Sequence, residues 1–164
     1  MELTGQYTFA APAARVWDLL MDPQAIASCL PGCQTFEPSG DDRYRVVLTA
    51  GVAAISGTFE GVVSLADKVP PTSYRLTVQG QGRPGFVIGD ASVTLAPEGG
   101  HAPEDGRAPE DGQAPEDGRT TINVVANVQV GGLVAQVGQR LLGATARMMM
   151  DRFFRCLEQK IVVP

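Results

Sequence analysis

Histidine occurs once and cysteine three times in this 164-residue chain, and aromatic residues make up only 6% of it. Nucleophilic catalysis needs a base beside the nucleophile. His101 borders a repetitive polar segment and reads as a solvated side chain, so no catalytic residue is assigned. Cys29 and Cys33 have three residues between them, not the two of a zinc knuckle or redox pair, and no second pair lies nearby. Neither a metal site nor a bound cofactor is expected, and the cysteines read as free thiols. Asp67 and Asp90 fall near strand ends, where turn and edge roles outweigh acid–base work. No apolar run approaches the roughly 18–20 residues of a membrane span. Met1 to Gln6 has neither a basic region nor an apolar run, so no signal peptide and a cytoplasmic, reducing location are expected. A net charge of −5 argues against nucleic acid as a partner. Gly80-Gln81-Gly82 lacks the spacing of a dinucleotide fingerprint and joins two strands rather than opening a helix.

What is present suffices for one core. With 44% hydrophobic and 19% charged residues, the sequence reads as a single globular domain spanning 1–164. A chain of this size buries about 68–70% of its unfolded surface without needing staples. The acidity is concentrated. Residues 102–119 are one hexapeptide, Ala-Pro-Glu-Asp-Gly-Arg with one Gln variant, written three times. That stretch holds six of the 18 acids and two of the 13 bases, so the rest of the chain is close to neutral. Nothing in it larger than alanine is apolar, and every unit carries Pro and Gly. A disordered acidic surface loop at about 99–119 is the expectation.

Hydrophobic periodicity orders the remainder. Leu3–Phe9 alternates as a strand, and Ala11-Pro12 then opens a short helix carrying Val16, Trp17, Leu19 and Leu20. Asp22-Pro23 caps a second short helix, which Leu30-Pro31-Gly32 breaks. Six strand-like runs follow at 35–37, 43–49, 55–65, 73–79, 86–95 and 121–130, separated by turn-rich segments. From about Leu133 to Val162 the pattern is helical. Its narrow polar stripe contains Gln136, Arg140, Gly143, Arg147, Asp151 and Glu158, and the rest is apolar. Arg147, Asp151 and Arg155 are spaced for an exposed ion-pair ladder. The economical packing is α+β: a curved antiparallel seven-stranded sheet, two short helices after the first strand, and one long C-terminal helix.

A bent sheet and a single helix leave space between them unless large side chains fill it. Few aromatics and many strand glycines predict an apolar hollow, the usual setting of a small-molecule site. Its walls are assigned to Leu30, Pro31, Phe59, Phe86, Val137, Leu141 and Met148, with Pro31-Gly32 shaping the mouth. Gly131-Gly132 is a strand-to-helix hinge. The terminal helix carries an excess of bases (Arg140, Arg147, Arg152, Arg155 and Lys160 against Asp151 and Glu158), which suits peripheral contact with an anionic leaflet.

Separated motifs in matching order resemble the G-subunit family of carbon monoxide dehydrogenase. They are Met1 to Phe9, Ala11-Pro12, Val16-Trp17, Asp22-Pro23, Cys29-Leu30-Pro31-Gly32-Cys33, Gly57-Thr58-Phe59-Glu60-Gly61, Gly80-Gln81-Gly82 and Val128-Gln129-Val130-Gly131-Gly132-Leu133. Ala146-Arg147-Met148 and Phe153-Phe154 complete the set, and the resemblance covers about 1–98 and 120–157. It implies a helix-grip fold of the START and Bet v 1-like superfamily. It also implies a non-catalytic accessory role toward a molybdenum hydroxylase-type oxidoreductase, with a quinone or similar lipid as hydrophobic ligand and a link to the inner face of the cell membrane. Two alternatives stay open. One is an assembly or tethering factor without ligand. The other is a cyclase or hydrolase of the same superfamily, which needs polar groups converging in the pocket.

Overall fold

Period-two alternation sets the sheet. In Ile55–Val69, Phe59, Gly61, Val63 and Leu65 turn to one face and Thr58, Glu60 and Val62 to the other, so one face needs a cover. The structure, a computed structural model, describes residues 1–52, 55–98 and 118–162. Its strands are β1 (Glu2–Phe9), β2 (Cys33–Gly40), β3 (Arg43–Val52), β4 (Ile55–Val69), β5 (Ser73–Gly82), β6 (Gly85–Glu98) and β7 (Arg119–Gly131). All neighbours pair antiparallel in the order β1-β7-β6-β5-β4-β3-β2, which brings the first and last strands together. Two short helices, α1 (Ala13–Leu20) and α2 (Pro23–Cys29), follow β1, and α3 (Gln139–Val162) closes the chain. This is the expected helix-grip arrangement. The repeat loop expected at about 99–119 lies outside the described residues up to position 117, as does His101, while Arg119 already opens β7.

Local chemistry explains the helix starts. Asp22 accepts a hydrogen bond from the Gln24 backbone N–H at 3.0 Å, and Pro23 occupies the first turn, where its missing N–H costs nothing. The core sits where α1 and the C-terminal half of α3 press on β1, β6 and β7. Phe9, Val16, Ile122 and Leu157 are completely enclosed there. Phe154 of α3 stacks on Tyr7 at 4.3 Å and meets Phe9 edge-on at 6.4 Å, which locks the long helix to the first strand.

Three expectations are corrected. The terminal helix is not continuous from Leu133: residues Gly132–Val137 form a 3-10 turn, and α3 begins only at Gln139. Gly138, at φ +99°, supplies the break, in a conformation that a side chain would strain. The cysteines are not all free thiols. Cys29 at the end of α2 is bonded to Cys156 of α3, with Cα atoms 5.4 Å apart and a sequence separation of 127. Cys33 alone is free, and its thiol donates to the Thr35 carbonyl at 3.3 Å. Burial pushes that thiol's pKa up, against the opposing effect of this hydrogen bond, which keeps it in the unreactive form.

The arginine ladder is the third correction. Asp151 accepts a 2.6 Å hydrogen bond from the Tyr7 hydroxyl instead, and Arg147 donates to the Thr4 carbonyl at 3.2 Å. Among the described residues the ion pairs join Arg45 to Glu37 and Glu60, Lys68 to Asp42, and Arg75 to Asp90. Burial first, then the bond to Asp151, raises the Tyr7 pKa above its ordinary value. A raised value means that folding favours the neutral phenol. Its contribution is complete below about pH 10 and is lost as pH rises beyond that. Melting temperature should therefore fall above about pH 10 more steeply in the native protein than in Tyr7→Phe, which should be about 1 kcal/mol less stable at neutral pH. Parallel slopes in thermal melts across that range would refute this account.

Candidate functional site

The hollow begins with a missing pair of side chains. Gly61 of β4 and Gly80 of β5 face each other across the ladder on the helix side of the sheet, flanked by Phe59 and Val63 on one strand and Val78 on the other. α3 is anchored further along its length, where Phe154 and Leu157 pack into the core. The result is an apolar cavity of about 310 Å³ between the sheet, Val134 of the 3-10 turn and the first half of α3. From α3 it receives Leu142, Thr145, Ala146 and Met149, spaced i, i+3, i+4 and i+7. β3 contributes Val46 and Leu48, and β7 contributes Val128 and Val130.

A second cavity, of about 270 Å³, lies deeper toward α1 and α2. Leu20 and Ile26 line it from the helices, Leu76, Val93 and Val124 from the sheet, and Met150 and Phe153 from α3. Half-buried Pro23, Phe36 and Tyr44 bring its wall to the surface where α2 faces β2 and β3, and the Phe36 and Tyr44 rings stack there at 4.9 Å. Leu30, Val63 and Val78 belong to both walls, so the two chambers abut. Together they fall within the range of about 300–1,000 Å³ typical of small-molecule sites. Among the described residues, no charged side chain lines either one.

Among the predicted wall residues, Leu30 touches both chambers and Phe59 lines the first. Pro31 is half-buried beside Leu30. Gly32 takes φ +75°, and its carbonyl accepts from the Thr49 N–H at 2.9 Å, which stitches the turn after α2 to β3. A Cβ at this position would lie 2.0 Å from the Thr49 carbonyl oxygen, so only glycine lets this corner close. Val137 is half-buried in the 3-10 turn and reaches neither chamber. Phe86 is 43% exposed in a shallow outer hollow with Ala135 and Gln139, while Leu141 and Met148 are 50% and 44% exposed on the outer side of α3. The structure thus gathers Leu30 and Phe59 and leaves Pro31, Gly32, Phe86, Val137, Leu141 and Met148 outside both chambers. Leu142, Thr145, Ala146 and Met149 take the places on α3 that Leu141 and Met148 do not.

Tyr74 of β5 was not assigned to the pocket from sequence. It is 6% exposed in the wall of the deeper chamber, and burial alone pushes its phenol pKa well above the ordinary tyrosine value. Among the described residues no cluster of three His, Cys, Asp or Glu side chains is placed to hold a metal, and no helix is long and apolar enough to cross a membrane.

A family model for the G subunit of carbon monoxide dehydrogenase (CoxG) matches residues 5–104 and 111–162. No curated protein sequence matches the chain significantly. Among solved structures, a conserved protein from Geobacillus kaustophilus is 30% identical, with a TM-score of 0.85 over 99% of this chain and 95% of that one. A START superfamily protein from Mycobacterium smegmatis is 13% identical with a TM-score of 0.64, covering 97% of this chain and 95% of its own. The Zhui aromatase/cyclase from Streptomyces sp. R1128 is 15% identical with a TM-score of 0.63, covering 98% and 92%. The last two share the fold.

Proposed function

Because the chain belongs to the CoxG family, named for the G subunit of carbon monoxide dehydrogenase, we propose that it is a non-catalytic accessory protein carrying a hydrophobic ligand, a quinone or lipid, between the cell membrane and a molybdenum hydroxylase-type oxidoreductase. The abutting apolar chambers without a charged side chain carry this reading. Such a space expels water and rewards an extended apolar molecule, at about 25 cal/mol for each Å² removed from water. Among the described residues the lining holds no histidine, cysteine or carboxylate side chain, which counts against a cyclase or hydrolase. The five bases of α3 suit a passing contact with an anionic leaflet.

Extraction of natively purified protein followed by lipid mass spectrometry tests the reading. A quinone or isoprenoid lipid in near-stoichiometric amount is expected, as is uptake of quinone from vesicles by stripped protein. Protein that purifies clean and takes up no quinone would leave a tethering role without ligand.

A further inference from the structure

The wall of the deeper chamber contains a buried polar group that a purely greasy cargo leaves unused. Tyr74 is nine-tenths buried, and the Trp17 ring holds its ring edge-on at 5.5 Å. Burial is the one cause acting on its titration; no hydrogen bond and no charge contributes. Every fully enclosed side-chain nitrogen or oxygen among the described residues has a hydrogen-bond partner. The Tyr74 oxygen has none, so the small accessible area that the residue keeps must include that oxygen. Tyr74 belongs to the chamber wall, beside Leu76 on its own strand and opposite Val93 on β6. Tyr44, the other phenol of this wall, is half-buried where the chamber reaches the surface and has solvent to bond.

We propose that the Tyr74 hydroxyl donates a hydrogen bond to the carbonyl oxygen of an uncharged lipid, which enters carbonyl-first and leaves its chain running past Leu30, Val63 and Val78 into the outer chamber. This rests on the carrier reading and specifies its cargo. A carboxylate or phosphate at Tyr74 is disfavoured because, among the described residues, no cationic group lines the deeper wall to offset its desolvation. An alcohol suits the site less well, since two hydroxyls bring two donors to one hydrogen bond and leave one buried and unpaired. A carbonyl brings an acceptor and no donor, so the pair is complete. An alkane leaves the phenol unpaired.

The test uses delipidated protein, with methyl undecyl ketone and tridecane as probes of equal chain length. Trp17 is the one tryptophan of the chain and sits against Tyr74, so its fluorescence reports occupancy of the deeper chamber. The Tyr74→Phe variant removes a single oxygen. It should weaken ketone binding about tenfold and leave alkane binding no weaker, or tighter, because the unpaired hydroxyl is gone. The infrared carbonyl stretch of the bound ketone should lie below its value in hexane in the native protein and return to that value in the variant. A stretch at the hexane position in the native protein overturns the proposal even if the variant does not fold. Equal losses for ketone and alkane also overturn it, with the carrier reading intact. Failure of both probes to bind native protein removes the carrier reading and this inference together.

Discussion

Cys156→Ser should lower the unfolding free energy by about 3–5 kcal/mol, the largest single effect expected at a half-buried position. The cross-link joins positions with a sequence separation of 127, and in the chain-entropy model the loss of unfolded conformations grows with the logarithm of loop length. It also ties α2 to α3 beside Leu30, which lines both chambers, so its removal should loosen the contact between the two elements that cover the deeper one. Urea unfolding with and without dithiothreitol is the measurement. Reduced native protein should match Cys156→Ser, and Cys33→Ser should behave as native, since Cys33 is outside the bond. Coincident midpoints for all samples would show that the link contributes nothing. The bond persists only where thiols are oxidised, so the reducing location inferred from free cysteines loses that support.

The sheet was legible because its signal is short-ranged. Alternation at Phe59, Gly61, Val63 and Leu65 needs only neighbouring residues, and Asp22-Pro23 announces a helix start by local hydrogen bonding. Strand ends were less legible, because pairing in β4 and β6 runs past the apolar pattern to Val69 and Glu98. The disulfide was hidden for the opposite reason. Cys29 and Cys33 are close in sequence, while the partner chosen by folding is Cys156, set by how α2 lands on α3. The Gly138 break escaped because a glycine inside a helical pattern is usually tolerated; its positive φ is a tertiary fact.

For the site, the existence of a hollow was readable and its lining only in part. The apolar arc of α3 is too wide to give the helix a phase. Leu141 and Met148 satisfy the same seven-residue spacing as Leu142 and Met149, and only the packing of Phe154 and Leu157 selects the second pair. Tyr74 gave no sign of a binding role in sequence, since an aromatic residue in a strand reads as core until its hydroxyl is found without a partner.

Gly80→Leu should abolish ligand uptake at the outer chamber while leaving the fold at least as stable, a separation few core substitutions achieve. The two facing glycines are not equivalent. A Cβ on Gly61 would lie 2.0 Å from the Gln79 carbonyl oxygen, a contact that the backbone must move to relieve. A Cβ on Gly80 meets only the Glu60 carbonyl oxygen, at 3.9 Å, and otherwise projects into open space. The side chain added there occupies volume that the ligand chain needs, and it finds Leu48, Val87 and Met149 already lining that volume. Removing a strand glycine also narrows the unfolded ensemble, so stability should hold or rise by about 0.5–1 kcal/mol. Gly61→Ala is the contrast: the same sheet position seen from the other strand, expected to melt well below native protein. Quinone uptake from vesicles, read beside thermal melts of both variants, decides the matter. Native-like uptake by a folded Gly80→Leu protein would move the ligand out of the space between β4, β5 and α3, and the carrier reading would have to rest on the deeper chamber alone.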